Sequence, residues 1–195
     1  VSLRVGIFGG TFDPIHLGHL IVAEQARDRL RLDRVLFVPA RVPPHKGSAA
    51  ADAEHRYRMT RLATEDHPQF AVSDLELLRE GPSYTIDTLR ALRAEAPGGT
   101  RHYLLLGADS ARDLEHWRDF QDLLEDATVV VAGRPGVDQD RLSTHVGRKA
   151  TFLSTPLLEI SSTEIRRLVR EGGTVRYLVP APVEEYIRSE GLYRS

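Results

Sequence analysis

The chain contains no cysteine, one methionine and one tryptophan. Without cysteine there is no disulfide, no thiolate metal ligand and no thiol nucleophile, which fits the reducing cytoplasm. No apolar run approaches the roughly 20 residues of a membrane span. The first residues lead straight into a strand, with no basic-then-apolar leader, so a cytoplasmic protein with no membrane partner is expected. An excess of one charge is also missing. With 26 Lys and Arg against 28 Asp and Glu, the formal net charge is -2, which argues against a general nucleic-acid binder. Any anion must therefore be held by local positive groups. There is no internal repeat and no low-complexity segment. What is present is ordinary: 195 residues, 41% hydrophobic and 28% charged, long enough for one domain with a substantial core and short for two.

Strand and helix signals alternate along the chain. A mostly apolar run with Val5, Ile7 and Phe8 reads as a strand buried on both faces, stopped by Gly9 and Gly10. A helix over 17–30 carries the stripe Val22, Ala23, Ala26 and Leu30. A strand over 34–38 leads into a connection over 39–53, whose three prolines and glycine keep it non-helical and whose length marks a binding loop or lid. A helix over 54–64, a strand-like stretch over 70–77 and a helix over 85–94 follow. Next come a strand over 102–106, a helical stretch over 108–117, a short helix over 120–124 and an apolar strand over 127–132. Residues 136–149 resist placement, and 151–153 read as a last short strand. Ser161 with Glu164 forms a capping box for a helix whose Ile165, Leu168 and Val169 face the core. Pro182 and Gly191 suit the two ends of a final helix.

Repeated strand–helix units predict an α/β fold: a Rossmann-like, doubly wound parallel sheet with helices on both faces, one domain over residues 1–195. Such sheets bind ligands beyond the carboxyl ends of the strands, where strand order switches. Gly9-Gly10, residues 39–46, residues 107–110 and Gly133-Arg134 all follow strands, so they are expected to line one cleft.

The most informative stretch is GGTFDPIHLGH, from Gly9 to His19. A strand, a glycine turn and a helix N-terminus form the arrangement that receives phosphate, because glycines allow close backbone approach and the first helical turn offers unpaired donors. There is no Walker lysine and no GxGxxG spacing. Instead His16 and His19, three apart, project from one helix face and can donate hydrogen bonds to phosphoryl oxygens. Two other readings stand beside this one: His19 as a hydrogen-bonded core residue in line with Val22 and Ala23, and a His-x-x-His metal pair. Against the metal pair, no cysteine or helical carboxylate completes a ligand set.

With ISSTEIR at residues 160–166, this stretch resembles the nucleotidyltransferase superfamily that carries HxGH and SxTxxR motifs. PPHK at 43–46, SYTIDTL at 83–89, GADS at 107–110, the Trp117 region and the C-terminal PAPVEEYIRSEGLY extend the resemblance over nearly the whole chain, to the bacterial nicotinate-nucleotide adenylyltransferases. Thr11 stands where many relatives have serine, and both supply a hydroxyl.

The resemblance implies adenylyl transfer from ATP to nicotinate mononucleotide, with release of pyrophosphate. It implies that Gly9, Gly10, Thr11 and Phe12 offer backbone groups to ATP phosphates, that His16 and His19 hold the triphosphate, and that Arg166, with Ser162 and Thr163, grips the leaving phosphates. Asp109 falls on the adenosine side, its bland alternative being a helix N-cap. On the acceptor side, Lys46 with neighbouring His45 lies near the reacting phosphates. Trp117 stacks on the pyridine ring, and Thr85 opens a helix whose N-terminus suits the nicotinate carboxylate. Taken without the motif, Arg166 reads as a solvated arginine, Lys46 as a solvated loop lysine and Trp117 as core or interface packing. Mg²⁺ is implied by the ATP chemistry, held mainly by phosphates and water, with no protein ligand named. A homo-oligomer is compatible with the sequence, which does not give the oligomeric state. Two alternatives are an adenylyltransferase for another acceptor, such as nicotinamide mononucleotide or phosphopantetheine, and a nucleotide-sensing domain without turnover.

Overall fold

Strand β1 (Arg4–Gly10) is the hub of the molecule, because it hydrogen-bonds to strands on both sides. The computed structural model describes residues 2–44, 49–133, 150–156 and 158–194, with the backbone alone at position 109. The other strands are β2 (Arg34–Pro39), β3 (Phe70–Val72), β4 (Arg101–Gly107), β5 (Thr128–Gly133) and β6 (Ala150–Ser154). They form one sheet in the order β3-β2-β1-β4-β5-β6. Every pairing is parallel. This is the doubly wound order: the chain first builds outward from β1 to β3, then returns to β1's other side to add β4.

Alternation along the strands divides the core into two layers. Phe8, Phe37, Leu105 and Val130 face one cluster; Ile7, Val38, Leu104, Val129 and Val131 face the other. The first layer is covered by α1 (Leu17–Leu30), α2 (Ala53–Thr64), α7 (Ser162–Arg170) and α8 (Ala181–Ser189), which contribute Ala23, Met59, Ile165 and Ile187. The second is covered by α4 (Thr85–Glu95), α5 (Ala108–Arg112) and α6 (Phe120–Asp126), through Ile86, Leu89, Ala111 and Leu123. Each large side chain so buried stabilises the sheet by about 1.5–3 kcal/mol. Among the described residues no helix is long and apolar enough to cross a membrane.

The sequence reading needs three corrections. The stretch 70–77 is not one strand: β3 ends at Val72, and α3 (Leu75–Leu78) follows. Ser73 Oγ accepts the Leu75 N–H at 3.2 Å and the Asp74 carbonyl accepts Leu77 N–H at 2.8 Å, so this polar pair turns the chain into a helical turn. The helical stretch 108–117 breaks at Asp113 into α5 and a single 3₁₀ turn, Leu114–His116. Gly9 and Gly10 do not stop β1 but are its last two residues, paired with Val38 and Pro39. Residues 136–149 and Arg134 lie outside the described residues.

Candidate active site

The carboxyl ends of β1 and β4 open into a cavity of about 570 Å³. Gly9, Gly10, Thr11, Phe12, His16, His19, Ser162, Thr163 and Arg166 all line it, so the fold brings together two motifs some 150 residues apart. The Phe12 ring itself is buried, edge-on to Phe8 and His19. It also lies against Gly10, where a Cβ would come within 2.9 Å of the ring. Phe12 holds this position at φ 50°, in the left-handed region that bulky residues avoid.

His16 is the N-cap of α1 and His19 its third residue. Their rings stack with centroids 3.7 Å apart. The two close a reciprocal capping box, in which His16 N–H donates to His19 Nδ1 at 3.2 Å. An Nδ1 that accepts this bond leaves the ring proton of a neutral His19 on Nε2, which fixes the tautomer and the donating edge. Gly18 suits the same stack: a Cβ there would stand 3.0 Å from His16 Nδ1, and the ring would have to give by a few tenths of an ångström. The backbone of this first turn offers less than the sequence implied. Leu17 N–H already donates to Leu178 O at 2.9 Å and His19 N–H to His16 O at 2.9 Å. Two of the first turn's backbone donors are thus already engaged within the protein.

Arg166 reaches the motif from α7. Its Nη1 donates to Asp13 O at 2.7 Å and its Nη2 to Thr163 Oγ1 at 3.4 Å. The Ser162 hydroxyl donates to Pro14 O at 2.9 Å, and Ser161 caps α7 by accepting Glu164 N–H. Arg167 and Arg170 stay on the exposed side.

Beneath this surface lies a polar cluster that sequence reasoning missed. The buried Asp13 carboxylate accepts from Ala50 N–H at 2.7 Å, Ala51 N–H at 3.1 Å and the Tyr193 hydroxyl at 2.8 Å. Arg56, 1% exposed, donates to the carbonyls of Thr11, Ala40, Arg41 and Ala51. Burial lowers the pKa of its guanidinium, and the Asp13 charge opposes that shift. Burial raises the pKa of the Tyr193 phenol well above the usual range, reinforced by Asp13. The cluster ties the phosphate-facing loop to Ala40 and Arg41, to Ala50 and Ala51, and to the C-terminal segment. Only the position of Asp13 inside the GGTFDP turn hinted at it.

A second cavity, of about 210 Å³, lies on the far side of β1. Thr85 and the half-buried Trp117 line it together. Thr85 is the first residue of α4, and no side chain caps that helix. Arg118 lies over the Tyr84 ring at 4.8 Å, joining the Trp117 turn to the start of α4. The Trp117 side chain also packs against the second core layer, as its bland alternative had it. The two cavities share Gly9, Gly10, Thr11, Leu106 and Ser110 as a common wall. Ala108 and Ser110, flanking Asp109, line the larger cavity, and Gly107 rather than Asp109 is the N-cap of α5. His45 and Lys46 lie outside the described residues. Among the described residues, no group of three metal-ligating side chains converges.

Over residues 7–168 the sequence matches the cytidylyltransferase-like family. A probable nicotinate-nucleotide adenylyltransferase from Thermus thermophilus is 51% identical over 192 residues, covering 98% of this chain and 100% of the relative. One from Moorella thermoacetica is 46% identical over 199 residues, covering 98% and 92%. Among solved structures, Plasmodium falciparum nicotinic acid mononucleotide adenylyltransferase complexed with NaAD superimposes with a TM-score of 0.83 at 22% identity, covering 98% of each chain, which is a likeness of fold. By its sequence, length and architecture, the chain belongs to the nicotinate-nucleotide adenylyltransferase family of cytidylyltransferase-like proteins.

Proposed function

We propose that this protein transfers the adenylyl group of ATP to nicotinate mononucleotide, giving deamido-NAD and pyrophosphate. The observation that carries the reading is the shared wall. One cavity holds the paired histidines and Arg166, the other holds Thr85 and Trp117, and they meet at Gly9, Gly10 and Thr11. Two nucleotides seated in them would present their phosphates to each other across that wall.

The chemistry follows from this placement. An oxygen of the acceptor phosphate attacks the α-phosphorus of ATP, a new P–O bond forms, and the bond to the bridging oxygen breaks as pyrophosphate leaves. The acceptor phosphate is already mostly ionised near neutral pH, its second pKa being about 6, so no general base is needed. The protein's task is to hold two anions in line and to stabilise the charge that moves to the leaving group. The ring proton on His19 Nε2 and the His16 imidazole are assigned to the triphosphate, and Arg166 with the α7 N-terminus to its leaving end. The uncapped start of α4 suits the nicotinate carboxylate, and Trp117 suits the flat ring. A magnesium ion carried by the nucleotide, with phosphates and water as its main ligands, belongs to the same proposal. Bound there, it would neutralise phosphate charge. A cytoplasmic location belongs to the same proposal and rests on the cysteine-free composition.

The test is pyrophosphate release from ATP with a panel of acceptors. Nicotinate mononucleotide is expected to give the highest kcat/KM. Fastest turnover with phosphopantetheine would overturn the acceptor assignment. Tight ATP binding with no product would identify a nucleotide sensor instead.

A further inference from the structure

Glu76 sits in the four-residue helix α3, is 5% exposed, and lines the acceptor cavity. A carboxyl group in such a place is costly unless its oxygens are satisfied. Its partners are all on the acceptor side. The Thr88 hydroxyl donates to Oε1 at 2.5 Å. Thr88 Oγ1 in turn accepts from Arg79 Nη2 at 2.9 Å, so its own proton is directed to the carboxylate. The Ser83 hydroxyl lies near enough to act on the same carboxyl, pulling its pKa down. Ser83 Oγ accepts the N–H groups of Arg41 at 3.0 Å and Val42 at 3.3 Å, so it too has its proton left for Glu76. Ser83 N–H donates to Val42 O at 3.0 Å, which completes its grip on the loop.

These bonds join three walls of one cavity. Thr88 lies one turn beyond Thr85 in α4, and Ser83 lies just before that helix. Arg41 and Val42 lead directly into Pro43 and Pro44, which line the same cavity. Glu76, Ser83, Thr85 and Thr88 all line the smaller cavity, and none of them lines the larger one. Burial raises the carboxyl pKa against the pull of both hydroxyls and of Arg79, so the group is kept at a cost an apolar side chain would avoid.

We infer that Glu76 is the positioning residue of the acceptor pocket: through Ser83 and Thr88 it fixes the start of α4 and the 41–44 loop in the geometry that receives the acceptor's ring. The inference rests on the proposed function and adds to it a residue that acts on one substrate only. The experiment is steady-state kinetics, with each substrate varied in turn, on Glu76→Gln, Thr88→Val and Thr88→Ser. Glu76→Gln keeps the shape but sets an amide N–H₂ against one of the two hydroxyl donors. It is expected to raise KM for nicotinate mononucleotide about tenfold, the scale of one lost hydrogen bond, with KM for ATP and kcat within about twofold. Thr88→Val, close in volume but without the hydroxyl, reproduces this split, and Thr88→Ser restores the wild-type acceptor KM. An unchanged acceptor KM in both Glu76→Gln and Thr88→Val overturns the inference, as does a parallel rise in KM for ATP. If the wild-type protein releases no pyrophosphate with this acceptor, the functional reading fails, and the inference with it.

Discussion

Replacing His19 by asparagine separates two roles that the structure gives one side chain. In the wild type, Nδ1 accepts His16 N–H at 3.2 Å, while the ring packs edge-on to Phe12 at 5.1 Å and stacks on His16 at 3.7 Å. An asparagine Oδ1 can occupy the place of Nδ1 and keep the cap, but it has nothing at the position of Nε2. Loss of one preorganised donor to developing charge is worth about 10²–10³ in kcat, or roughly 3–4 kcal/mol in the transition state. Stability should change little, because the cap persists. His19→Ala loses the cap as well, at about 1 kcal/mol, which for a chain of this size lowers Tm by about 2–4 °C. The expected pattern is therefore an equal kcat loss of at least a hundredfold in both variants, with a Tm drop only in His19→Ala. Pyrophosphate release and thermal denaturation read the two quantities independently. A kcat loss below about tenfold in a well-folded His19→Asn would refute the donor role. Collapse of both variants would return His19 to the core reading.

Gly18→Ala sets a Cβ 3.0 Å from His16 Nδ1, so the imidazole must shift by a few tenths of an ångström. A kcat loss of about tenfold is expected together with an unchanged or higher Tm, since alanine is the better helix former; full activity would show that the ring's position does not matter. Asp13→Asn sets an amide N–H₂ against one of the backbone donors held by the carboxylate, and weakens the field on buried Arg56. It should lower stability by about 2 kcal/mol and Tm by about 4–8 °C, and an unchanged Tm would contradict the cluster's structural role. Tyr193 is held protonated in the folded state, so above about pH 10 only the unfolded chain releases its proton. The phenol's contribution is therefore complete below that pH and lost above it, at about 1.4 kcal/mol per pH unit. Urea unfolding of Tyr193→Phe should show a correspondingly shallower decline at alkaline pH than the wild type; parallel curves would contradict the assignment.

Much of the fold was legible because periodicity is local. The alternation of Ile7 and Phe8 between two layers and the glycine-ended strands β1, β4 and β5 could be read within windows of a few residues. The stretch 70–77 misled because its apolar positions 70, 72, 75 and 77 nearly alternate, and only the Ser73-Asp74 pair breaks the pattern. The motif residues were legible as chemistry, and the structure places His16, His19, Ser162, Thr163 and Arg166 around one cavity. What stayed hidden were partnerships over long sequence separations. Tyr193 meets Asp13 across 180 residues, and Arg56 meets Thr11 across 45, with no local pattern to mark either. Glu76 was hidden by its assignment to a strand, where its burial had no meaning. The glycine of HLGH could be seen in the sequence, but the reason for it needed the His16 ring above it.

The placement of the triphosphate decides whether the paired imidazoles do what is assigned to them. A crystal structure with a non-hydrolysable ATP analogue would locate it. Phosphate oxygens within hydrogen-bond reach of both His16 and His19, with the terminal phosphates toward Arg166 and the α7 N-terminus, are the expected result. A triphosphate lodged elsewhere, with the two rings closed off from it, would contradict the assignment.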